Sequence, residues 1–274
     1  MVMRRWLALV AFLTVPAFQP ARAAEPLKMD LGFAIYAGGA HVLSADTAVT
    51  IDGPRYQMKT TARGEGLLGW ATRYTLDTLS QGSLSGAAPL PALYESASDG
   101  RWGRRSSTMN WPEPGHPKVV RLEPKHEELE RFPIPPGELV NTLDPPAAGM
   151  VRALAGVTGK ACEGSSRIFD GRRRYNLHFS PAGEDTLAPT RYGAYAGPAL
   201  KCMVRYEPIG GGYKKFANDA ESAAQNPIRL WLAQGIDSRV WLPVRLEMDN
   251  DWANIVIHLV RADVDGTTRL AMKQ

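Results

Sequence analysis

From residue 29 onward the chain alternates apolar and polar positions with a period of two. Phe33, Ile35 and Ala37 alternate with Gly32, Ala34 and Tyr36, and Gly38-Gly39 follows as a turn. Leu43, Ala45, Thr47, Val49 and Ile51 then share one face, and Asp52-Gly53-Pro54 turns the chain again. Tyr56, Met58, Thr60 and Ala62 next oppose Arg55, Gln57, Lys59 and Arg63. Period two, with a turn signal about every ten residues, predicts an antiparallel meander with one wetted face.

Glu65-Gly66-Leu67-Leu68-Gly69-Trp70 interrupts this meander. It is glycine-rich yet strongly apolar, which is unusual for a surface loop. Leu67, Leu68 and Trp70 have two destinations: the open end of a barrel, which is the simpler expectation, or an exposed hydrophobic lip for a ligand. Further strands are predicted over 72–80, 92–98, 102–111 and 118–123. Prolines at 112, 114, 117, 124, 133, 135 and 136 make 112–137 read as an extended linker. Within it, 125–131 reads as a solvated bend.

One helix is predicted. Asp144 is a good N-cap, Pro145 suits the first helical position, and 147–155 favours helix, with Leu143, Met150, Val151 and Leu154 as its buried face and Gly156 or Gly159 as its end. Beyond it, Asp170-Gly171 between Phe169 and Arg172 predicts a type I′ hairpin. Strands follow at 192–195, 199–206, 213–216, 228–233, 240–248 and 253–262, with a polar loop over 217–225. The pattern predicts a mainly β chain: one strongly curved antiparallel sheet or open β-barrel, with a single short helix against its concave side.

The N-terminus changes where this domain belongs. Arg4 and Arg5, an apolar stretch over 6–18 and Ala21-Arg22-Ala23 read as a cleaved secretory signal peptide over 1–23, leaving one β domain over 24–274 in the periplasm. No later run approaches the ~20 apolar residues of a membrane span. The formal charge of +4 from 32 basic and 28 acidic residues falls to about +1 once the three leader arginines are removed, so no nucleic-acid partner is expected. The two cysteines, Cys162 and Cys202, read as one disulfide in an exported chain.

The search for chemistry returns little. His41, His116, His126, His178 and His258 are scattered, with no metal-ligand spacing. Gly82-Ser83-Leu84-Ser85-Gly86 puts leucine where a nucleophile elbow needs serine, and no phosphate-binding glycine loop is present. No catalytic residue, metal or other cofactor is implied. Two basic–aromatic stretches remain, Arg101-Trp102-Gly103-Arg104-Arg105, placed in a strand, and Arg172-Arg173-Arg174-Tyr175. Each is either a phosphate contact or an outward β face that discourages edge pairing.

Several of these pieces together carry a resemblance. Tyr36-Ala37-Gly38-Gly39, Gly66-Leu67-Leu68-Gly69-Trp70, Leu143-Asp144-Pro145, Phe169-Asp170-Gly171-Arg172-Arg173-Arg174-Tyr175, Ala196-Gly197-Pro198-Ala199-Leu200-Lys201-Cys202 and Pro243-Val244-Arg245 occur in that order. The chain resembles the exported proteobacterial family labelled domain of unknown function 3108, over nearly all of the mature sequence. The resemblance implies an envelope protein and supplies no catalytic residues. In architecture alone the chain is similar to periplasmic curved-sheet proteins such as lipoprotein carriers. The leading expectation is a non-enzymatic periplasmic protein that supports the envelope by holding a lipid or a protein segment. The alternatives are a partner-binding scaffold with a filled barrel, and an enzyme acting on an envelope polymer. An apolar pocket favours the first and a packed interior the second. Nothing in the sequence speaks to oligomeric state.

Overall fold

The computed structural model describes residues 25–101, 103–125, 130–156, 159–216, 225–249 and 253–272. The expected signal peptide, most of the 217–225 loop, residues 126–129 of the expected bend and Trp102 lie outside the described residues, as does the Leu68 side chain.

An N-terminal meander runs through β1 (Leu27–Ala37), β2 (Ala40–Asp52) and β3 (Arg55–Gly64), then β4 (Thr75–Ser85), β5 (Ala88–Asp99), β6 (Arg105–Glu113) and β7 (His116–Glu123). A second meander runs through β8 (Gly164–Phe169), β9 (Arg174–Leu187), β10 (Gly197–Gly210), β11 (Ile228–Asp237), β12 (Val240–Asp249), β13 (Asn254–Val264) and β14 (Thr267–Ala271). Helix α1 (Gly66–Thr72) lies between β3 and β4, and α2 (Pro145–Ala155) lies between the meanders.

One pairing joins the two halves. β1 runs antiparallel to β13, from Met29 opposite Val264 to Ala37 opposite Ile255. The result is a single sheet in the order β7-β6-β5-β4-β3-β2-β1-β13-β12-β11-β10-β9-β8, with β14 added on β13. β7 and β8 are its two ends, and no ladder joins them. The sheet curls all the same: α2, eleven residues long, packs against β5, β8 and β12 at once. Its Ala147 and Met150 meet Leu27, Met29, Leu242, Val244, Leu259 and Val264 in the main core.

The helix starts where expected. Asp144 is its N-cap and accepts from the Ala147 N–H at 2.9 Å, with proline following. Its buried face differs from the expected one. Arg152, not Val151, is enclosed, its guanidinium over the Phe179 ring at 4.6 Å and donating to the Glu163 carbonyl. Cys162 and Cys202 form a disulfide with Cα atoms 5.2 Å apart, tying the lead into β8 to β10 across β9. Both cysteines are buried with Phe179, Val204, Leu230 and Leu232.

Several expectations need correcting. The 65–70 interruption forms α1, a second helix, because Gly64 and Gly69 let its backbone lie directly on the end of β3. The 102–111 strand begins only at Arg105; Arg101 sits in the turn before it, with its N–H bonded to the Thr72 carbonyl. Pro112 in β6 and Pro117 in the edge strand β7 both lie in the irregular stretch between the Asn110–Lys118 and Glu113–His116 pairs, where a missing N–H costs no ladder bond. The stretches at 192–195 and 213–216 are not strands. The first crosses β13 through one bond, Ala194 N–H to the Leu259 carbonyl, and the second contains a 3₁₀ turn over Lys214–Phe216. The Asp-Gly hairpin has a four-residue loop, with Phe169 opposite Arg174. Asp170 organises it, accepting from the Arg172 and Arg173 N–H groups at 2.9 and 2.6 Å.

Candidate functional site

The gap between the two ends of the sheet is where side chains do what strand pairing does elsewhere. Residues 131–143 cross it as a strap. On one side the Asn141 N–H bonds the Gly115 carbonyl, and Trp111 Nε1 donates to the Thr142 carbonyl. On the other side Leu143 makes a parallel bridge to Ile168, and the Phe132 N–H reaches the Gly212 carbonyl. A separate apolar cluster of Tyr94, Met109, Trp111 and Phe169, flanked by Ile134 and Leu139 from the strap, fills the seam.

The Phe169–Tyr175 stretch latches this seam, residue by residue. Phe169 sits in the cluster just named. Gly171 has φ of +92°, and a Cβ there would lie 2.8 Å from the Ser107 side chain, so only glycine lets the loop touch β6. Ser107 Oγ donates to the Asp170 carbonyl at 3.1 Å. Arg172 donates to the Glu123 and Pro124 carbonyls at the end of β7, at 2.5 and 3.5 Å. Arg173 pairs with the Asp170 carboxylate at 2.8 Å, and that charge raises its pKa above the usual guanidinium value. Arg174 is fully buried. It donates to the Glu138 carbonyl at 2.7 Å, the Glu138 carboxylate at 3.2 Å, the Tyr175 carbonyl at 2.6 Å and Asn176 Oδ1 at 2.7 Å. Burial, with Arg167 nearby, lowers its pKa. Neither expectation for the three arginines describes Arg174, whose donors are spent inside the protein and whose side chain reaches no solvent.

Beneath the latch lies a cavity of about 560 Å³. Thr60, Thr78, Ser96 and Ser107 form its floor, one hydroxyl from each of four adjacent strands. They fall in line because cross-strand partners share a face, and Thr47 extends the row to β2, 2.9 Å from Thr60. Tyr74, Tyr94, Tyr175 and Tyr213 contribute the walls. Burial raises the pKa of Tyr74, Tyr94 and Tyr175, so these phenols remain protonated donors at neutral pH. Among the described residues, Arg105, Arg131, Arg172 and Arg173 line the cavity together with Asp170, the partner of Arg173, and Pro145 and Pro146 close it from the helix side. Its described lining therefore combines hydroxyls, aromatic rings and guanidinium groups.

The other residues singled out from sequence lie elsewhere. Leu67 and Trp70 are 80% and 76% exposed on α1, so they do not plug the end of the sheet. The structure does not bring them to the cavity: they are absent from its lining, unlike Arg172 and Arg173. His178 Nε2 is 2.6 Å from Glu207, a carboxylate held low by Asn176 and His178. His258 is buried, with its pKa lowered by that burial, under Tyr36 and Tyr192. Among the described residues no group of three or more His, Cys, Asp or Glu side chains is placed to hold a metal ion. Sequence reasoning missed the hydroxyl row, whereas Arg105 belongs to the 101–105 stretch it singled out. The period-two pattern that put Thr60 with Tyr56 and Met58 on the inward face was the available signal for the row.

A family match spans residues 32–260, across both meanders and the latch. The chain belongs to the family described as Protein of unknown function (DUF3108). Both sheet ends and the Phe-Asp-Gly-Arg latch of this DUF3108 chain fall inside the matched range. No curated protein sequence matches it. Among solved structures, the crystal structure of a beta-barrel-like protein of domain of unknown function DUF1849 from Brucella abortus overlays with a TM-score of 0.44 at 11% identity, covering 87% of this chain and 97% of that one. No helix among the described residues of the DUF3108 chain is long and apolar enough to cross a membrane.

Proposed function

We propose that this chain is an exported, non-enzymatic binding protein of the bacterial envelope, which holds an anionic, hydroxyl-bearing group in the cavity beneath the latch. The observation that carries the reading is the cavity lining, which among the described residues brings together four arginines, one aspartate, four tyrosines and a row of hydroxyls. Arginine recognises phosphate or carboxylate oxygens with paired N–H donors. Serine, threonine and tyrosine hydroxyls pair with hydroxyls of a sugar or glycerol unit, and tyrosine faces cover its C–H surface. A phosphorylated sugar and a phospholipid headgroup share this chemistry. A bare acyl chain would give the hydroxyl row no partner. The leader-like N-terminus and the disulfide support export to an oxidising compartment.

The test is a thermal-shift titration of the mature chain with glycerol phosphate, a hexose phosphate and the matching neutral sugar. The reading expects the midpoint to rise with a phosphorylated compound and not with the neutral sugar. Ser96→Phe, which places a ring in the cavity, should abolish the rise. A midpoint indifferent to all three compounds counts against it and leaves the filled scaffold.

A further inference from the structure

Helix α1 is turned the wrong way round for a helix on a soluble surface. Amphipathic helices bury their large apolar side chains and expose polar ones. Here glycine is buried and the large apolar side chains point out. A Cβ at Gly69 would lie 2.2 Å from the Gly64 carbonyl carbon, and one at Gly64 would lie 2.7 Å from the Gly69 Cα, so backbone rests on backbone. The helix is fixed in this orientation from both ends. The Glu65 N–H bonds the Val42 carbonyl and the Gly64 N–H the Tyr74 carbonyl; the Thr72 carbonyl accepts from the Arg101 N–H. Leu67 and Trp70, one turn apart, therefore stand on the solvent side at 80% and 76% exposure. They are the two most exposed large hydrophobic side chains among the described residues.

The charges around them have one sign in excess. Residues 63–73, 99–101, 103 and 104 form this rim, since the Arg101 N–H is bonded to the Thr72 carbonyl at the end of α1. Their described ionisable side chains are Arg63, Arg73, Arg101 and Arg104 against Glu65 and Asp99; Arg63 pairs with Glu65 and with Asp46 of β2, and Arg104 with Asp99, so the excess is carried by Arg73 and Arg101. Two apolar side chains are too little for a stable protein interface, which takes roughly 800 Å² from each partner, whereas Trp alone covers about 150–250 Å². They do suffice for the interfacial zone of a bilayer, where tryptophan, an aliphatic side chain and a basic rim are the recurring anchor.

We infer that the α1 rim docks this protein on a membrane surface bearing anionic headgroups. Leu67 and Trp70 enter the headgroup–acyl boundary, and the arginine excess meets lipid phosphates. This inference stands apart from the cavity and does not rest on its occupant.

The test is co-sedimentation of the mature chain with vesicles of phosphatidylcholine, alone and mixed with phosphatidylglycerol. Binding should appear on the anionic vesicles and weaken as salt rises. The double variant Leu67→Ser/Trp70→Ser should bind at least about tenfold more weakly with an unchanged melting midpoint, because neither side chain is buried. Arg73→Gln should weaken binding to the anionic vesicles only. Trp70 fluorescence, read as the difference from Trp70→Phe, should be quenched by lipids brominated near the headgroup. The inference is overturned by absent binding, by equal binding to both vesicle types, or by binding that the double variant leaves intact. A dimer that the double variant dissociates in sedimentation velocity also overturns it, in favour of a second copy as occupant. The phosphate-dependent thermal shift is independent of all these readings, so the cavity proposal and this one fail separately.

Discussion

Replacing Arg174 with methionine tests whether the two ends of the sheet are held by the latch. Methionine keeps most of the aliphatic stem and removes every donor. Four hydrogen bonds disappear, to the Glu138 carbonyl, the Glu138 carboxylate, the Tyr175 carbonyl and Asn176 Oδ1. Each is worth roughly 1 kcal/mol net, and more where the cation meets the carboxylate. Two effects reduce the total. Glu138 keeps Arg167 at 3.0 Å, and its side chain is 34% exposed, so water takes up part of the loss. Burial also disfavours the Arg174 cation itself, a cost that the variant removes. The balance is a loss of about 3 kcal/mol, or about 6–12 °C in midpoint at this chain length. Urea unfolding followed by circular dichroism gives the free energy. Hydrogen exchange gives the location: the Leu143, Phe169 and Phe132 amides, which bond across the strap, should lose protection before the β1–β13 pairing does. A loss below about 1 kcal/mol, with strap protection intact, would refute the latch.

Two further perturbations address stability. Asp144 is buried, and burial pushes its carboxyl up to about 6, against the Ala147 N–H and Ser80, which favour the charge. A raised carboxyl pKa means that folding favours the proton, so this group's contribution is fully present below about pH 4 and lost as pH rises through about 6. Asp144→Asn keeps an N-cap, so the stability of the wild type relative to it should fall by roughly 3 kcal/mol between pH 4 and pH 7; a pH-independent difference in urea midpoints contradicts this. Replacing both Cys162 and Cys202 with alanine opens a loop of sequence separation 40 and should cost up to about 4 kcal/mol. Two reactive thiols on the unfolded, unreduced wild type would show that the bond does not form.

Much of the sheet was legible in sequence because its inward rows are simple. The Leu43–Ile51 and Tyr56–Ala62 alternations predict β2 and β3 with the correct faces, and Asp144-Pro145 places the start of α2. What escaped sequence reading depends on partners far along the chain. β1 pairs with β13 more than two hundred residues away, and nothing local announces it. β9 runs on through Glu184 and Asp185, a polar pair that reads as loop, because Asp185 accepts from Trp231 Nε1 at 2.8 Å. The Arg172–Arg174 run reads as a phosphate contact or an outward face, yet Arg174 stands opposite Phe169 in the hairpin and shares its face, so the apolar Phe169 was a usable sign of burial. The outward Leu67 and Trp70 contradict the simpler expectation because Gly64 and Gly69 take the inner side of α1.

Native mass spectrometry of the protein, isolated without denaturation from the cells that produce it, tests the binding proposal most directly. The account predicts one anionic, phosphate-bearing molecule per chain, whose mass identifies it as a sugar phosphate or a phospholipid. It also predicts that the Ser96→Phe chain, folded but with its cavity filled, carries none. A bare polypeptide mass for the wild type, or an adduct that survives unchanged in Ser96→Phe, would contradict it.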